Sequence, residues 1–199
     1  LITFILLAAL PVLITGIVSG LLSVQGLRSA ALDQLTSIAQ LKTTEISQWV
    51  STLQINLNLT LQDKYLFDVT NTILLNPEGA ENAKKALRTK LNTSNQVTGY
   101  FEELFILDEE GTVILSTNTS QEGKIFSTQA FYQEGLKDSY ITPPIYDISL
   151  SKYSIIFSRP IKSGSGRVVA VIAGRANLAV LDQIMIERAG LGETGETYL

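Results

Sequence analysis

Residues 153–175 read YSIIFSRPIKSGSGRVVAVIAGR. The runs Tyr153–Arg159 and Val168–Gly174 are rich in β-branched and apolar residues. Between them, Lys162-Ser163-Gly164-Ser165-Gly166 is flexible turn chemistry, so the stretch predicts an antiparallel hairpin. With the turn centred near Gly164, the register sets Arg175 opposite Tyr153 or Ser154. Period-two alternation places Val169, Val171, Ala173 and Arg175 on one face. An inward arginine at the end of an apolar strand requires a carboxylate, a carbonyl or a bound anion. An internal ion pair with Asp147 or Asp182 meets that need as well as a ligand does.

Working outward, Leu104–Leu107 and Val113–Leu115 flank Asp108-Glu109-Glu110-Gly111 and predict a second hairpin with a solvated acidic turn. Ser127 or Thr128 is placed to cap a short helix reaching about Lys137. Tyr140 to Tyr146 contains Pro143-Pro144 and reads as extended, an edge strand or strand entry. After Gly174, Asn177 caps a last helix that ends near Ala189 and Gly190.

Upstream the period changes. Leu32, Leu35, Ile38, Ile46, Trp49, Leu53 and Leu57 recur at helical spacing, and no Pro or Gly lies between Gly26 and Pro77. This predicts a long helix with a break near Asp63, closed by Asn76-Pro77-Glu78-Gly79. A shorter helix, Ala80–Leu91, follows and ends in the polar run Asn92-Thr93-Ser94-Asn95. Hairpins with helices on the other face make an α+β fold.

The first 24 residues, LITFILLAALPVLITGIVSGLLSV, carry no charge. About 20 apolar helical residues span the ~30 Å hydrocarbon core. The run exceeds the ~7–15 apolar residues of a signal peptide and lacks a small-residue cleavage site, so it predicts a retained transmembrane helix. The chain starts at Leu1 and stops at Leu199, which reads as a piece of a longer protein.

Composition narrows the chemistry. Fifteen Lys and Arg against 19 Asp and Glu leave no basic stripe for phosphates, so no nucleic-acid partner is expected. The 199 residues include no His and no Cys, which removes the commonest general base, the thiol nucleophile and the usual zinc ligands. No catalytic residue, metal site or cofactor is expected. Gly190-Leu191-Gly192-Glu193-Thr194-Gly195 has the spelling of a dinucleotide loop, but the strand-before, helix-after context is missing, and it reads as a connector. Ser149-Leu150-Ser151-Lys152 has the spelling of a serine–lysine nucleophile pair, but it lies between strands and reads as a loop. The more informative group is aromatic. Phe131, Tyr132, Tyr140, Tyr146 and Tyr153 fall close together, which fits either a core or the wall of a small-molecule pocket.

Taken in order, these segments resemble the double-Cache family of extracytoplasmic sensors. The matching parts are the uncharged N-terminal run with its long helix, LFILDEEGTVIL at 104–115 and Phe131-Tyr132 on the short helix. YITPPIYD at 140–147, SIIFSRPI at 154–161 and VVAVIAGRANLAVLDQI at 168–184 complete the match. The resemblance implies a transmembrane helix at 1–24, a long extracytoplasmic helix at 25–76 and a membrane-distal, PAS-like sensor module at 77–190. Residues 191–199, within GLGETGETYL, resemble the hinge into a membrane-proximal module, in a style nearer to sensor histidine kinases and nucleotide cyclases than to chemoreceptors.

The same resemblance implies an inner-membrane receptor, a homodimer, that binds a small molecule outside the cell and is not itself an enzyme. A ligand-free structural or dimerisation module is the alternative. The implied ligand-binding residues are Gln129, Phe131, Tyr132, Tyr140, Tyr146, Asp147, Tyr153 and Arg175. The family's amino-acid pattern has Arg and Trp where this chain has Gln129 and Phe131. The family's ligand-amine Asp aligns with Arg175. The substitutions point toward a carboxylate or an uncharged ligand, held by two parallel hydrogen bonds from the guanidinium in the first case.

Overall fold

The computed structural model describes residues 2–62, 64–148 and 150–187, apart from the side chains of residues 2–13, 17, 21 and 77. The element order is α1 (Ile2–Gln62), α2 (Lys64–Leu75), α3 (Pro77–Thr98), β1 (Phe101–Leu107), β2 (Val113–Ser116), a single 3₁₀ turn, α4 (Ala130–Gly135), β3 (Tyr140–Ile141), β4 (Ile145–Asp147), β5 (Lys152–Ser154), β6 (Ile156–Lys162), β7 (Val168–Ala176) and α5 (Ala179–Ile186). The chain divides into two compact units. One is Gln48–Asp182; the other joins Leu1–Ser47 with Gln183–Leu199.

The helices follow from their end signals. α1 is described to Gln62 and α2 from Lys64, and the break expected near Asp63 lies outside the described residues. α3 is longer than the sequence reading gave. Asn76 caps it, accepting from the Gly79 amide, and Pro77 fits its first turn. The run Asn92–Asn95 does not stop it, because Thr93 bonds back to the Thr89 carbonyl and the run lies largely on the solvent side. The stop comes at Gly99, whose φ of 66° is left-handed and closes the helix onto Asn95. α4 starts at Gln129 with no side-chain cap, so neither Ser127 nor Thr128 serves that role. Asn177 does cap α5, accepting from the Ala179 amide.

Among the described residues no helix is long and apolar enough to cross a membrane. The Leu1–Val24 span falls largely on side chains outside the described residues, as do Ser149, the 190–195 glycine motif and the 191–199 hinge.

In the unit Gln48–Asp182, five strands form one antiparallel sheet ordered β2-β1-β7-β6-β3. β7 is central and almost wholly buried, as its apolar run requires. β2 and β3 are the edges, and the prolines just after β3 suit that position. The sheet buries both faces. Toward α1, Trp49 meets Phe157 edge-on at 6.3 Å, and Phe157 meets Phe101 at 6.2 Å. Gly174 permits this layer. A Cβ there would stand 2.6 Å from Phe101 Cδ1. Toward α4, Phe105, Leu107, Phe131, Tyr132, Ile156, Val171 and Ala173 form a second core.

One strand of the sequence reading divides. Tyr153–Arg159 was expected as a single run, but Ile155 separates β5 from β6, and β5 pairs with β4 in its own two-stranded ribbon. In the other unit, Lys42 donates from Nζ to the Ile184 carbonyl, and Glu45 lies 3.8 Å away.

Candidate ligand-binding site

The α4 side of the sheet carries the site. Val171, Ala173 and Arg175 alternate onto this face of β7, as the period-two reading requires. The register differs from expectation: Arg175 pairs with Ile156, not with Tyr153 or Ser154. The turn sits further along than Gly164. Ser163 donates to the Arg167 carbonyl at 2.8 Å, Gly166 donates to the Ser163 carbonyl at 2.9 Å, and Gly166 takes the positive φ of 85°. An irregularity between Ile161 and Lys162 completes the shift.

On the other side of β7, Glu103 of β1 pairs with Arg175, next to a slip in register after Phe101. Both residues are buried, at 4% exposure each. Arg175 Nε lies 3.4 Å from Glu103 Oε2, a long ionic contact. Nη1 donates to Ser154 Oγ at 2.7 Å and lies 3.1 Å from Asp147 Oδ2. Of the two internal partners weighed from sequence, Asp147 is the one found. Among the described residues nothing bonds Nη2. Arg175 also lines the space on this side of the sheet.

That space is a cavity of about 250 Å³. Phe105 and Ile156 of the sheet, Phe126, and Phe131 of α4 make its apolar walls. Phe131 meets Phe126 at 5.5 Å and Phe105 edge-on at 5.9 Å, so the wall is a fixed aromatic cluster. Ile145, Tyr146, Asp147 and Ile148, on and just after the first ribbon strand, line another side, and Gln129 lies at the rim. Arg175 with its carboxylates makes the polar end. The arrangement can hold a small molecule with an apolar body and one hydrogen-bond acceptor.

Of the residues expected from sequence, Gln129, Phe131, Tyr146, Asp147 and Arg175 line this cavity. Tyr132, Tyr140 and Tyr153 do not. Tyr132 turns into the core and donates its hydroxyl to the Asp108 carbonyl at 3.1 Å. Burial, then the carboxylates of Asp108, Glu109 and Glu110, push its phenol above the ordinary value of 10.0. Tyr140 packs against the same core from the edge strand. Tyr153 is 63% exposed and supports Tyr146 from the ribbon's partner strand, with ring centres 5.3 Å apart.

Sequence reasoning missed Phe105, Phe126, Ile145, Ile148 and Ile156 in the wall, and Glu103 beside the guanidinium. Glu103 carried a signal: in Phe101–Leu107 it alternates onto the face of Phe105 and Leu107. A charge at an inward position needs a partner.

The long helix, the five-stranded antiparallel sheet and the two-stranded ribbon beside an aromatic cavity make an α+β fold. Several solved sensory domains share it. The sensory domain of the Campylobacter jejuni chemoreceptor Tlp3 superposes with a TM-score of 0.63 at 19% identity, over 82% of this chain and 67% of that one. The ligand-binding domain of the Pseudomonas aeruginosa amino acid chemoreceptor PctC, in complex with GABA, gives 0.53 at 20% identity, over 77% and 63%. The sensor domain of the Vibrio cholerae histidine kinase DctB gives 0.51 at 14% identity, over 71% and 57%. This chain thus spans about two thirds or less of the length of those domains. All three are sensory or ligand-binding domains, and at these identities the likeness establishes the fold. No family model matches the chain, and no curated protein matches it in sequence.

Proposed function

We propose that this chain is the small-ligand sensing portion of an extracytoplasmic receptor domain, with its site in the cavity between α4, the sheet and the β4–β5 ribbon. The observation that carries this reading is the pairing of a formed aromatic wall with a buried arginine that lines the same cavity and whose Nη2 has no hydrogen-bond partner among the described residues. Gln129, Phe131, Tyr146, Asp147 and Arg175 contact the ligand. Tyr132, Tyr140 and Tyr153 support the groups that do. The ligand is a small metabolite, because drug-sized pockets run to ~300–1,000 Å³ and this one holds about 250 Å³.

The finer assignments rest on the sequence. Leu1–Val24 anchors the chain in the inner membrane as a transmembrane helix, and the module at 77–190 is the membrane-distal half of a double-Cache sensor. Residues 191–199 lead to the proximal half, and the receptor works as a homodimer. Ligand binding biases two states of the helices entering the membrane, and a coupling of ~1–3 kcal/mol changes output several-fold.

A second reading has specific support. Arg175 is already paired with Asp147 at 3.1 Å, as a ligand-free structural module would have it. A thermal-shift screen of the purified chain against carboxylates, amines, amides and sugars separates the two. A ligand at ~100 times its dissociation constant adds ~2.7 kcal/mol and raises the melting point visibly. If no compound of any class does so, the sensing role is wrong and the structural one stands.

A further inference from the structure

We infer that Glu103 sets the charge class of the ligand, making the cavity a site for a net-neutral molecule and turning away net anions. This rests on the ligand-sensing reading above. Three charged groups meet at the polar end: Arg175, Asp147 at 3.1 Å from Nη1, and Glu103 at 3.4 Å from Nε. Their formal charges sum to one negative, so the guanidinium is over-neutralised before a ligand arrives.

Glu103 cannot move aside. It is 4% exposed, and Ser116 Oγ donates to its Oε1 at 2.7 Å. Ser116 is held in turn. Its amide donates to Glu122 Oε1 at 2.8 Å, and Arg88 of α3 binds that same oxygen at 2.6 Å. Arg88 Nε also donates to the Ser116 carbonyl at 2.9 Å. This network fixes the carboxylate behind the guanidinium. Asp147, by contrast, is on the ribbon with its side chain 21% exposed.

A ligand reaching Nη2 therefore approaches a net negative group through an apolar wall, where weak screening magnifies repulsion. A net anion doubles the negative charge there. A neutral carbonyl does not, nor does a carboxylate balanced by an ammonium that reaches Asp147. The sequence motif offers Arg175 as an anion clasp; its surroundings convert it into a donor to a neutral acceptor.

The test uses the purified full chain and matched acid and amide probes: propionate with propionamide, butyrate with butyramide, and succinate with succinamide. Binding is read by thermal shift and calorimetry. The amides should bind the wild type and the acids should not. Glu103→Gln should then improve acid binding relative to amide by about ten-fold or more, on the scale of one charge at an effective dielectric of ~20. Glu103→Asp, which keeps the charge, should keep the amide preference, and it decides together with the wild type if Glu103→Gln does not fold. Acids binding the wild type as tightly as their amides would overturn the inference. So would an acid-to-amide ratio unmoved in Glu103→Gln. If neither acids, amides nor any other compound class binds, the cavity is not a ligand site, and the sensing role falls along with this inference.

Discussion

Replacing Arg175 with Met leaves two carboxylates facing the space that the guanidinium filled. Asp147, with its side chain 21% exposed, is reached by water, and the Leu150 amide donates to its Oδ1 at 3.3 Å. Glu103 is more deeply buried: its side chain is 5% exposed, and its remaining partner among the described residues is the Ser116 hydroxyl at 2.7 Å. Removing one partner of a buried ion pair costs about 3–5 kcal/mol, because the other charge stays buried without compensation. The expected loss is about 3 kcal/mol, mostly from Glu103. For a domain of this size that lowers the melting temperature by about 6–12 °C.

The cost belongs to the charge left behind, so Arg175→Met combined with Glu103→Gln should recover most of it, to within about 1 kcal/mol of wild type. Urea unfolding of the four proteins in the cycle, followed through the fluorescence of Trp49, gives the coupling energy. Trp49 is the single tryptophan in the chain and is buried against Phe157. Arg175→Met lying within about 1 kcal/mol of wild type would refute the reasoning. So would simple additivity of the two single changes. The cycle also bears on binding assays, since an Arg175 variant that loses ligand response must first be shown to be folded.

Three further outcomes are expected. Gly174→Ala puts a methyl 2.6 Å from Phe101 Cδ1 and should destabilise by about 1–3 kcal/mol in urea unfolding, part of which Phe101→Leu in the same chain should relieve. Tyr132 has its folded pKa raised above 10.0, so it stays neutral when the unfolded chain ionises. Its contribution is fully present below about pH 10 and is lost as pH rises toward the folded value, by up to about 1.4 kcal/mol per unit; Tyr132→Phe should flatten that alkaline slope in denaturation curves. Tyr153→Ala removes an edge-on ring pair worth about 0.5–1.5 kcal/mol, so amides of the ribbon at Ile145–Asp147 should exchange faster while those of the central strand do not change.

Features that depend on near neighbours along the chain were legible before folding was considered. Helical spacing through Trp49, Leu53 and Leu57 placed the long helix, and turn residues at 108–111 and 162–166 placed the hairpins. The apolar run at 168–174 marked the central strand and the face on which Arg175 lies. These signals are local, because periodicity and turn chemistry act over a few residues. Tertiary structure alone decided the rest of the site. The positive φ at Gly166 and the slip at Ile161 set the register that brings Ile156, not Tyr153, beside Arg175. Pairing with β4 drew Lys152–Ser154 out of the main sheet into a ribbon, which left Tyr153 outside the cavity and Tyr146 on its lining. Glu103, 72 residues from Arg175 in sequence, became its neighbour only when β1 joined β7. Which charges meet is a property of strand pairing across the fold, and no spacing along the chain encodes it.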